Sequence, residues 1–256
     1  MSRQDKSFLC LDLGNTTCRG AVWSDDEIIE QHVIPTNDFI SNCNEWLTQW
    51  IHLREITYCS VVPNAEHALN SSFHESDRVL TSLTAINQSI LPIRYPNPQE
   101  IGADRIANSI AVFMKHELPA LVIDLGTATT FDVITDDGGY EGGVIIPGPQ
   151  GMLDYLANQT ALLPQIKLTH TVSPPYAIGK STTRAMESGI NHGYLPMIEG
   201  IIEAIRSELS DFGKSLKTII QTGGEAVNFP IGHAHQQRYL TMEGLALAYQ
   251  KKEAMN

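Results

Sequence analysis

Two short stretches of the sequence end an apolar run in an aspartate and continue with a glycine and several threonines. They are LCLDLGNTTCRGAVW, Leu9 to Trp23, and VIDLGTATTFDVI, residues 122–134. Glycine lets a backbone approach a ligand closely, successive backbone N–H groups form an anion site, and threonine hydroxyls donate to phosphate oxygens. Because a carboxylate repels a phosphate unless a cation lies between them, Asp12 and Asp124 predict a metal ion beside bound phosphates.

A third stretch, Gly102-Ala103-Asp104-Arg105, follows a proline-rich loop that contains Tyr95. An aspartate near a helix start is often only a cap or a partner of the helix dipole. Asp104 could also accept the proton of an alcohol during phosphoryl transfer, and Arg105 could hold a carboxylate with two parallel hydrogen bonds. The residues alone leave both interpretations open.

Other motifs are weaker. EGGVIIPGP at 141–149 could be only the end of a strand, and the TGG of QTGGEA is weak by itself. GKSTTRAMESG at 179–189 lacks the upstream glycine of a phosphate-binding P-loop, so we expect Ser181 or Thr182 to cap a helix there. The nine histidines show no metal-site spacing, and no G-x-S-x-G nucleophile motif occurs.

The elements that must position these residues repeat along the chain. Each aspartate stretch predicts strand, tight glycine turn and strand, which is a β-hairpin. The two copies lie a little under half of the 256 residues apart, so we expect two similar domains. Strands alternate with helices, predicted at 37–53, after Gly102, and at 150–159, 181–189 and 194–212, which indicates an α/β fold.

The composition limits the classes of function. Hydrophobic residues make up 42% and charged residues 18%, as in an ordinary globular chain. A net charge of −12 argues against a nucleic-acid partner, and no apolar run reaches the roughly 20 residues of a membrane span. The four cysteines show no C-x-x-C, and the first residues lack a signal-peptide pattern. We therefore expect reduced thiols in a cytoplasmic protein.

The motifs, taken in order, resemble those of the type III pantothenate kinases over nearly the whole chain. The resemblance rests on DLGNTT from Asp12, SVVP at 60–63, Tyr95 ahead of GADR, DLGTATTFD from Asp124 to Asp132, GGVIIPG from Gly142, LLP at 162–164, GKSTTRAMESG, TGG at 222–224, and LTMEGLA at 240–246. Each motif is weak alone, but the ordered set is specific.

This resemblance implies an α/β fold of duplicated ribonuclease-H-like, or actin-like ATPase, domains with the active site in the cleft between them. The N-terminal domain would span residues 1–117 and the C-terminal domain residues 118–256. It also implies ATP-dependent phosphorylation of pantothenate to 4'-phosphopantothenate, the first step of coenzyme A biosynthesis. The family works as a homodimer, with pantothenate bound near the subunit interface.

The resemblance also assigns roles to residues. Asp104 would be the general base, Asp124 would bind a monovalent cation, K⁺ or NH₄⁺, and Mg²⁺ would accompany ATP. The residues that would hold the ATP phosphates are Asp12, Leu13, Gly14, Asn15, Thr16, Thr17, Cys18, Arg19 and Thr127. Those that would hold pantothenate are Tyr95, Gly102, Ala103, Asp104, Arg105 and Thr182.

Two alternatives remain from the sequence. The chain could be a kinase of the same superfamily that acts on a sugar or another small hydroxy acid. It could also be a non-catalytic regulatory relative, although an intact Asp104 argues against that role.

Overall fold

The computed structural model describes residues 7–73, 77–168 and 176–255. The chain forms two compact units. The first unit contains the chain up to His116, Ile134–Glu141, and the chain from Tyr239, while the second contains Glu117–Val133 and Gly142–Arg238. None of the helices in the described ranges is long and apolar enough to cross a membrane.

Ten strands form two five-stranded sheets within the described residues. They are β1 Phe8–Leu13, β2 Thr17–Ser24, β3 Glu27–Pro35, β4 Glu55–Ser60, β5 Val79–Ser82, β6 Ala120–Leu125, β7 Ala128–Thr135, β8 Gly139–Pro147, β9 Thr218–Thr222 and β10 His235–Gln236.

Six α-helices accompany the strands in the described part of the chain. They are α1 Thr36–Leu47, α2 Pro63–Ser71, α3 Ala103–Lys115, α4 Pro149–Gln159, α5 Thr182–Asp211 and α6 Leu240–Glu253. The helix predicted at 37–53 ends earlier than expected, at Leu47, and a 3₁₀ turn, Thr48–Trp50, follows it.

The two sheets have the same strand order, which confirms the predicted duplication. The first runs β3-β2-β1-β4-β5 and the second β8-β7-β6-β9-β10. In the first sheet β1 pairs antiparallel with β2 and parallel with β4, and in the second β6 pairs parallel with β9. Asp12 on β1 lies beside Cys59 on β4, and Asp124 on β6 lies beside Thr222 on β9. The two aspartates therefore occupy equivalent positions at the ends of equivalent strands.

Helix α3 is held in the first unit by α6. Gly244 of α6 lies so close to Ala107 of α3 that a Cβ at Gly244 would overlap the carbonyl oxygen of Ala107. The Thr241 hydroxyl donates to Oδ1 of the fully buried Asn108 at 2.8 Å. Tight backbone contact and a part-buried hydrogen bond thus fix the helix whose first turn carries Asp104.

The prediction of two separate helices at 181–189 and 194–212 is wrong, because both ranges belong to helix α5. It is one helix of 30 residues that contains Pro196. Local chemistry favours a break, because Gly189 and Gly193 weaken a helix and proline removes a backbone donor. A continuous buried stripe overrides these signals, and its members are Met186, Ile190, Tyr194, Ile198, Ile202, Ile205 and Leu209.

Candidate active site

The β1–β2 hairpin presents the first aspartate stretch. Asp12 and Arg19 lie directly opposite each other on neighbouring strands. The turn closes through the Gly14 amide, which donates to the Thr17 carbonyl at 3.2 Å. Thr36, which the sequence analysis missed, secures the turn, because its hydroxyl donates to the Gly14 carbonyl at 2.6 Å and its amide to the Thr16 carbonyl at 3.0 Å.

The side chains of this hairpin differ in exposure. Leu13 and Cys18 are fully buried in the core of the first unit, whereas Asn15 and Thr16 are exposed. Burial raises the pKa of the Cys18 thiol to about 11. Leu13 and Cys18 could therefore contact a nucleotide only through their backbone atoms.

Asp104 lies in the first turn of α3. Its Oδ1 accepts a hydrogen bond from the backbone N–H of Arg105 at 2.8 Å. A Cβ at Gly102 would come within 2.6 Å of the same oxygen, so only glycine fits there without displacing the carboxyl group. Burial raises the pKa of Asp104 above its ordinary value, and the hydrogen bond and charge of Arg105 oppose that rise.

Cys59 brings Asp12 and Asp104 into one neighbourhood. Its thiol donates to Oδ1 of Asp12 at 3.7 Å. Burial raises the pKa of Cys59 well above its ordinary value, and the negative charges of Asp12 and Asp104 raise it further. The structure thus brings the first predicted phosphate-binding carboxylate close to the predicted base.

Tyr95 and Arg105 share one aromatic neighbour, Tyr140. The rings of Tyr95 and Tyr140 meet edge to face with centroids 6.2 Å apart. The guanidinium carbon of Arg105 lies 5.8 Å from the centroid of the Tyr140 ring. Tyr140 is fully buried, while Tyr95 and Arg105 are half-buried. The predicted acceptor-binding residues Tyr95, Gly102, Ala103, Asp104 and Arg105 all belong to the first unit.

The β6–β7 hairpin presents the second aspartate stretch. Its turn closes through the Gly126 amide, which donates to the Ala128 carbonyl at 3.0 Å. The amide of Gly148, ahead of α4, donates to the Thr127 carbonyl at 3.0 Å, and a Cβ at Gly148 would overlap the Gly126 carbonyl. The glycines of EGGVIIPGP therefore include one that this turn requires. The Thr127 side chain remains exposed.

Asp124 lies against the glycine turn after β9. Gly223 has φ +96°, and a Cβ there would overlap both Oδ1 of Asp124 and the Leu125 carbonyl oxygen. The turn thus packs its backbone directly against two oxygen atoms, which are ligands of the type that hard cations prefer. No cluster of three or more His, Cys, Asp or Glu side chains in the described ranges could hold a metal by itself. A cation at Asp124 would therefore need further ligands from phosphate, backbone or water oxygens.

Thr129, one strand position beyond this turn, is fully buried and bonds to the hydroxyl of Tyr194 on α5. Burial raises the pKa of Tyr194 to about 12, and the negative charges of Glu225 and Asp124 contribute to the rise. Because Tyr194 stays neutral, the pair can hold the hairpin against α5 without a buried charge.

Thr182 lies in another part of the second unit. Ser181 caps α5, since its hydroxyl accepts from the Arg184 amide at 3.3 Å, which settles the predicted choice between Ser181 and Thr182. Thr182 borders a cavity of about 540 Å³ whose other walls are mostly apolar, among them Met152, Tyr155, Leu156, Leu163, Met186 and Ile190.

Comparison with known proteins identifies the group of sequences to which the chain is related. Residues 8–204 match the family model of type III pantothenate kinase. The type III pantothenate kinase of Rhodospirillum centenum is 35% identical over 96% of this chain and 99% of its own length. That of Methylacidiphilum infernorum is 35% identical over 85% of this chain and 77% of its own length.

Solved structures with low sequence identity share the fold. A Campylobacter jejuni protein described as a Baf family transcriptional activator has a TM-score of 0.58 at 18% identity and covers 96% of this chain and 100% of its own. MreB5 of Spiroplasma citri, bound to ADP, has a TM-score of 0.52 at 11% identity over 98% of this chain and 99% of its own. The expected two-domain, actin-like ATPase fold of class α/β is confirmed. By the extent of its match to the family model and to full-length relatives, the chain belongs to the type III pantothenate kinase family.

Proposed function

We propose that Asp104 is the general base with which this kinase phosphorylates pantothenate on the way to coenzyme A. The observation that carries the assignment is a carboxyl group with a raised pKa, held at the start of α3 beside Arg105. A base works best when its pKa lies near the working pH. Desolvation raises the pKa of Asp104 towards neutral pH. The hydrogen bond from the Arg105 amide keeps the carboxyl group oriented.

In the reaction, Asp104 accepts the proton of the primary hydroxyl of pantothenate. The hydroxyl oxygen attacks the γ-phosphorus of ATP, the bond from that phosphorus to the bridging oxygen breaks, and ADP leaves. Such transfers need little covalent chemistry from the protein, so positioning and charge stabilisation supply most of the rate.

Arg105 binds the carboxylate of pantothenate. Its guanidinium carbon lies above the ring of Tyr140, and it follows the base directly in the chain. Guanidinium and carboxylate pair through two parallel hydrogen bonds, which orients the acceptor as well as binding it. Tyr95, Gly102, Ala103 and Thr182 complete the acceptor contacts.

The ATP phosphates are bound by Asp12 to Arg19 of the first hairpin and by Thr127 of the second. The exposed side chains of Asn15, Thr16 and Thr127 carry neutral donor groups that suit phosphate oxygens. Mg²⁺ accompanies ATP, as in phosphoryl transfer generally. Its positive charge would offset the repulsion between the ATP phosphates and the carboxylates of Asp12 and Asp104, which lie near Cys59.

Asp124 binds a monovalent cation, K⁺ or NH₄⁺. The Asp124 carboxylate and the Leu125 carbonyl, which lie together beside the Gly223 turn, support this role, because they supply two oxygen ligands rather than a full cage. A monovalent ion adds positive charge without the strict octahedral geometry that Mg²⁺ demands.

The functional form is a homodimer in the cytoplasm. Tyr155, at the apolar cavity beside Thr182, is 66% exposed, and Leu162, in the loop after α4, is 91% exposed. A second subunit that covers these two side chains would remove apolar surface from water, which favours association. The four cysteines are all free and buried, as expected in a reducing compartment.

One assay tests this function against its alternatives. Purified protein is supplied with ATP, Mg²⁺ and K⁺ and with a panel of pantothenate, sugars and small hydroxy acids, and ADP release is measured. We expect turnover with pantothenate alone. Turnover with a sugar would identify a different kinase. Likeness to the Baf family protein makes a regulatory role the second candidate, and no turnover with any acceptor would favour it.

A further inference from the structure

Tyr140 is a buried aromatic residue to which no role has been assigned so far. It lies near the start of β8 and is fully buried. Its amide donates to the Pro92 carbonyl at 2.8 Å, and its carbonyl accepts from the Arg94 amide at 2.9 Å. An isolated parallel bridge to Ile93 accompanies these bonds. The backbone of Tyr140 therefore fixes the segment that leads directly into Tyr95.

The residue before Tyr140 is adapted to this contact. Gly139 has φ +67°, a conformation that side-chain-bearing residues rarely adopt, and a Cβ there would overlap the Pro92 carbonyl. On the other side of Tyr140, Glu141 lies 3.9 Å from the guanidinium of Arg94. Close approach and an ion pair thus hold the same two segments together around Tyr140.

The ring of Tyr140 contacts two residues of the acceptor site from different elements. One edge-to-face contact reaches Tyr95, which follows the fixed segment, and a cation–π contact reaches Arg105 at the start of α3. Both kinds of contact are attractive, and both depend on the position and orientation of the ring. Loss of the ring would remove one contact from each of these two side chains.

We propose that Tyr140 is a positioning residue for the acceptor site: its ring holds Tyr95 and Arg105 in the geometry that binds pantothenate. Tyr140 itself does not contact the substrate. The inference rests on the proposed roles of Tyr95 and Arg105. Its test must therefore distinguish an error in the role of Tyr140 from an error in those proposed roles.

The first comparison is between Tyr140→Leu and Tyr140→Phe. Leucine removes the ring, so we expect the KM for pantothenate to rise about 10-fold while the KM for ATP changes less than about twofold. Phenylalanine keeps the ring, so Tyr140→Phe should have a KM for pantothenate within about twofold of that of the unaltered protein. A raised KM for both substrates in Tyr140→Leu, or equal effects of leucine and phenylalanine, would overturn the proposal.

A matched control separates positioning from loss of core packing. Phe39 is also fully buried in the first unit, but it packs against Trp46 and not against acceptor-site residues. Phe39→Leu should lower the melting temperature without changing the KM for pantothenate. A rise in that KM comparable to the rise in Tyr140→Leu would show that general destabilisation is the cause.

A second variant keeps the test decisive if Tyr140→Leu does not fold. Pentafluorophenylalanine at position 140 preserves the ring but reverses its quadrupole, so the attraction to Arg105 is lost. We expect its KM for pantothenate to exceed that of Tyr140→Phe several-fold, and an equal KM would refute the proposal. If the unaltered protein does not phosphorylate pantothenate, the proposed function itself is wrong. If it does and Arg105→Lys raises the KM for pantothenate, only the role of Tyr140 is in question.

Discussion

At the scale of single residues, the role proposed for Asp104 comes with a cost to stability. Its folded pKa is raised, so the stability it contributes is present at low pH and is lost as the pH rises through that pKa. At neutral pH the ionised group therefore opposes folding, and desolvation is the main cause.

Asp104→Asn should lower kcat about 10²–10⁴-fold, because the proton acceptor is lost. The melting temperature at pH 7 should be equal or higher, since Asn can keep the bond from the Arg105 amide without the buried charge. Steady-state kinetics and thermal unfolding check the two effects.

The pH profile of the unaltered enzyme gives a further check on Asp104. In a plot of kcat/KM against pH, the acidic limb should have its midpoint above the ordinary pKa of aspartate. Near-normal turnover in a folded Asp104→Asn would remove Asp104 from the mechanism.

Arg105 should act on one substrate. Arg105→Lys keeps the charge but loses the planar fork that matches a carboxylate. We expect a higher KM for pantothenate with little change in the KM for ATP, measured by varying each substrate in turn. Equal effects on both would contradict a dedicated acceptor role.

At the scale of elements, the hairpins could be predicted from sequence because their information is local. An apolar run, a glycine turn and a second strand suffice to place Asp12 and Asp124 at strand ends. The single helix α5 could not be predicted, because its continuity depends on burial of one stripe in the core of the second unit. The role of Tyr140 was equally hidden, since its backbone partners Pro92 and Arg94 are distant in sequence.

The turn after β9 should govern the response to monovalent cations. Activity should depend on K⁺ at fixed Mg²⁺, and Na⁺ should be a poor substitute. The ionic strength is held constant in this assay, because added salt also screens charges. Asp124→Asn should weaken that dependence and lower ATP affinity. Gly223→Ala should act similarly, because the added Cβ would displace the Asp124 carboxylate and strain a positive φ. Equal turnover in Na⁺ and K⁺ would exclude this role for Asp124.

At the scale of the whole molecule, α6 comes from the end of the chain and packs tightly against α3 of the first unit. A Cβ at Gly244 would overlap the backbone of α3, so Gly244→Ala should destabilise the fold by about 1–3 kcal/mol. Gly200 on α5 has nothing within 4 Å of its absent Cβ, so Gly200→Ala is a matched control. It should stabilise by about 0.5–1 kcal/mol. Denaturant unfolding measures both changes.

Cysteine labelling gives an independent measure for the same pair of variants. All four cysteines are buried, and burial raises the pKa of each thiol, so little thiolate forms at pH 8. A thiol reagent should label none of them in the native protein and all four in denaturant. In Gly244→Ala, labelling should begin at a lower denaturant concentration than in Gly200→Ala. Labelling of the native protein would contradict the buried positions.

The first unit draws its last helix from residues 240–253, after the whole of the second unit has passed along the chain. During synthesis on the ribosome, α3 emerges more than a hundred residues before the partner that covers it. The side of α3 that packs against α6 therefore stays uncovered until the second unit has been synthesised. We therefore expect that a chain that ends before α6 would not hold the first turn of α3, with the proposed base Asp104, in its final position.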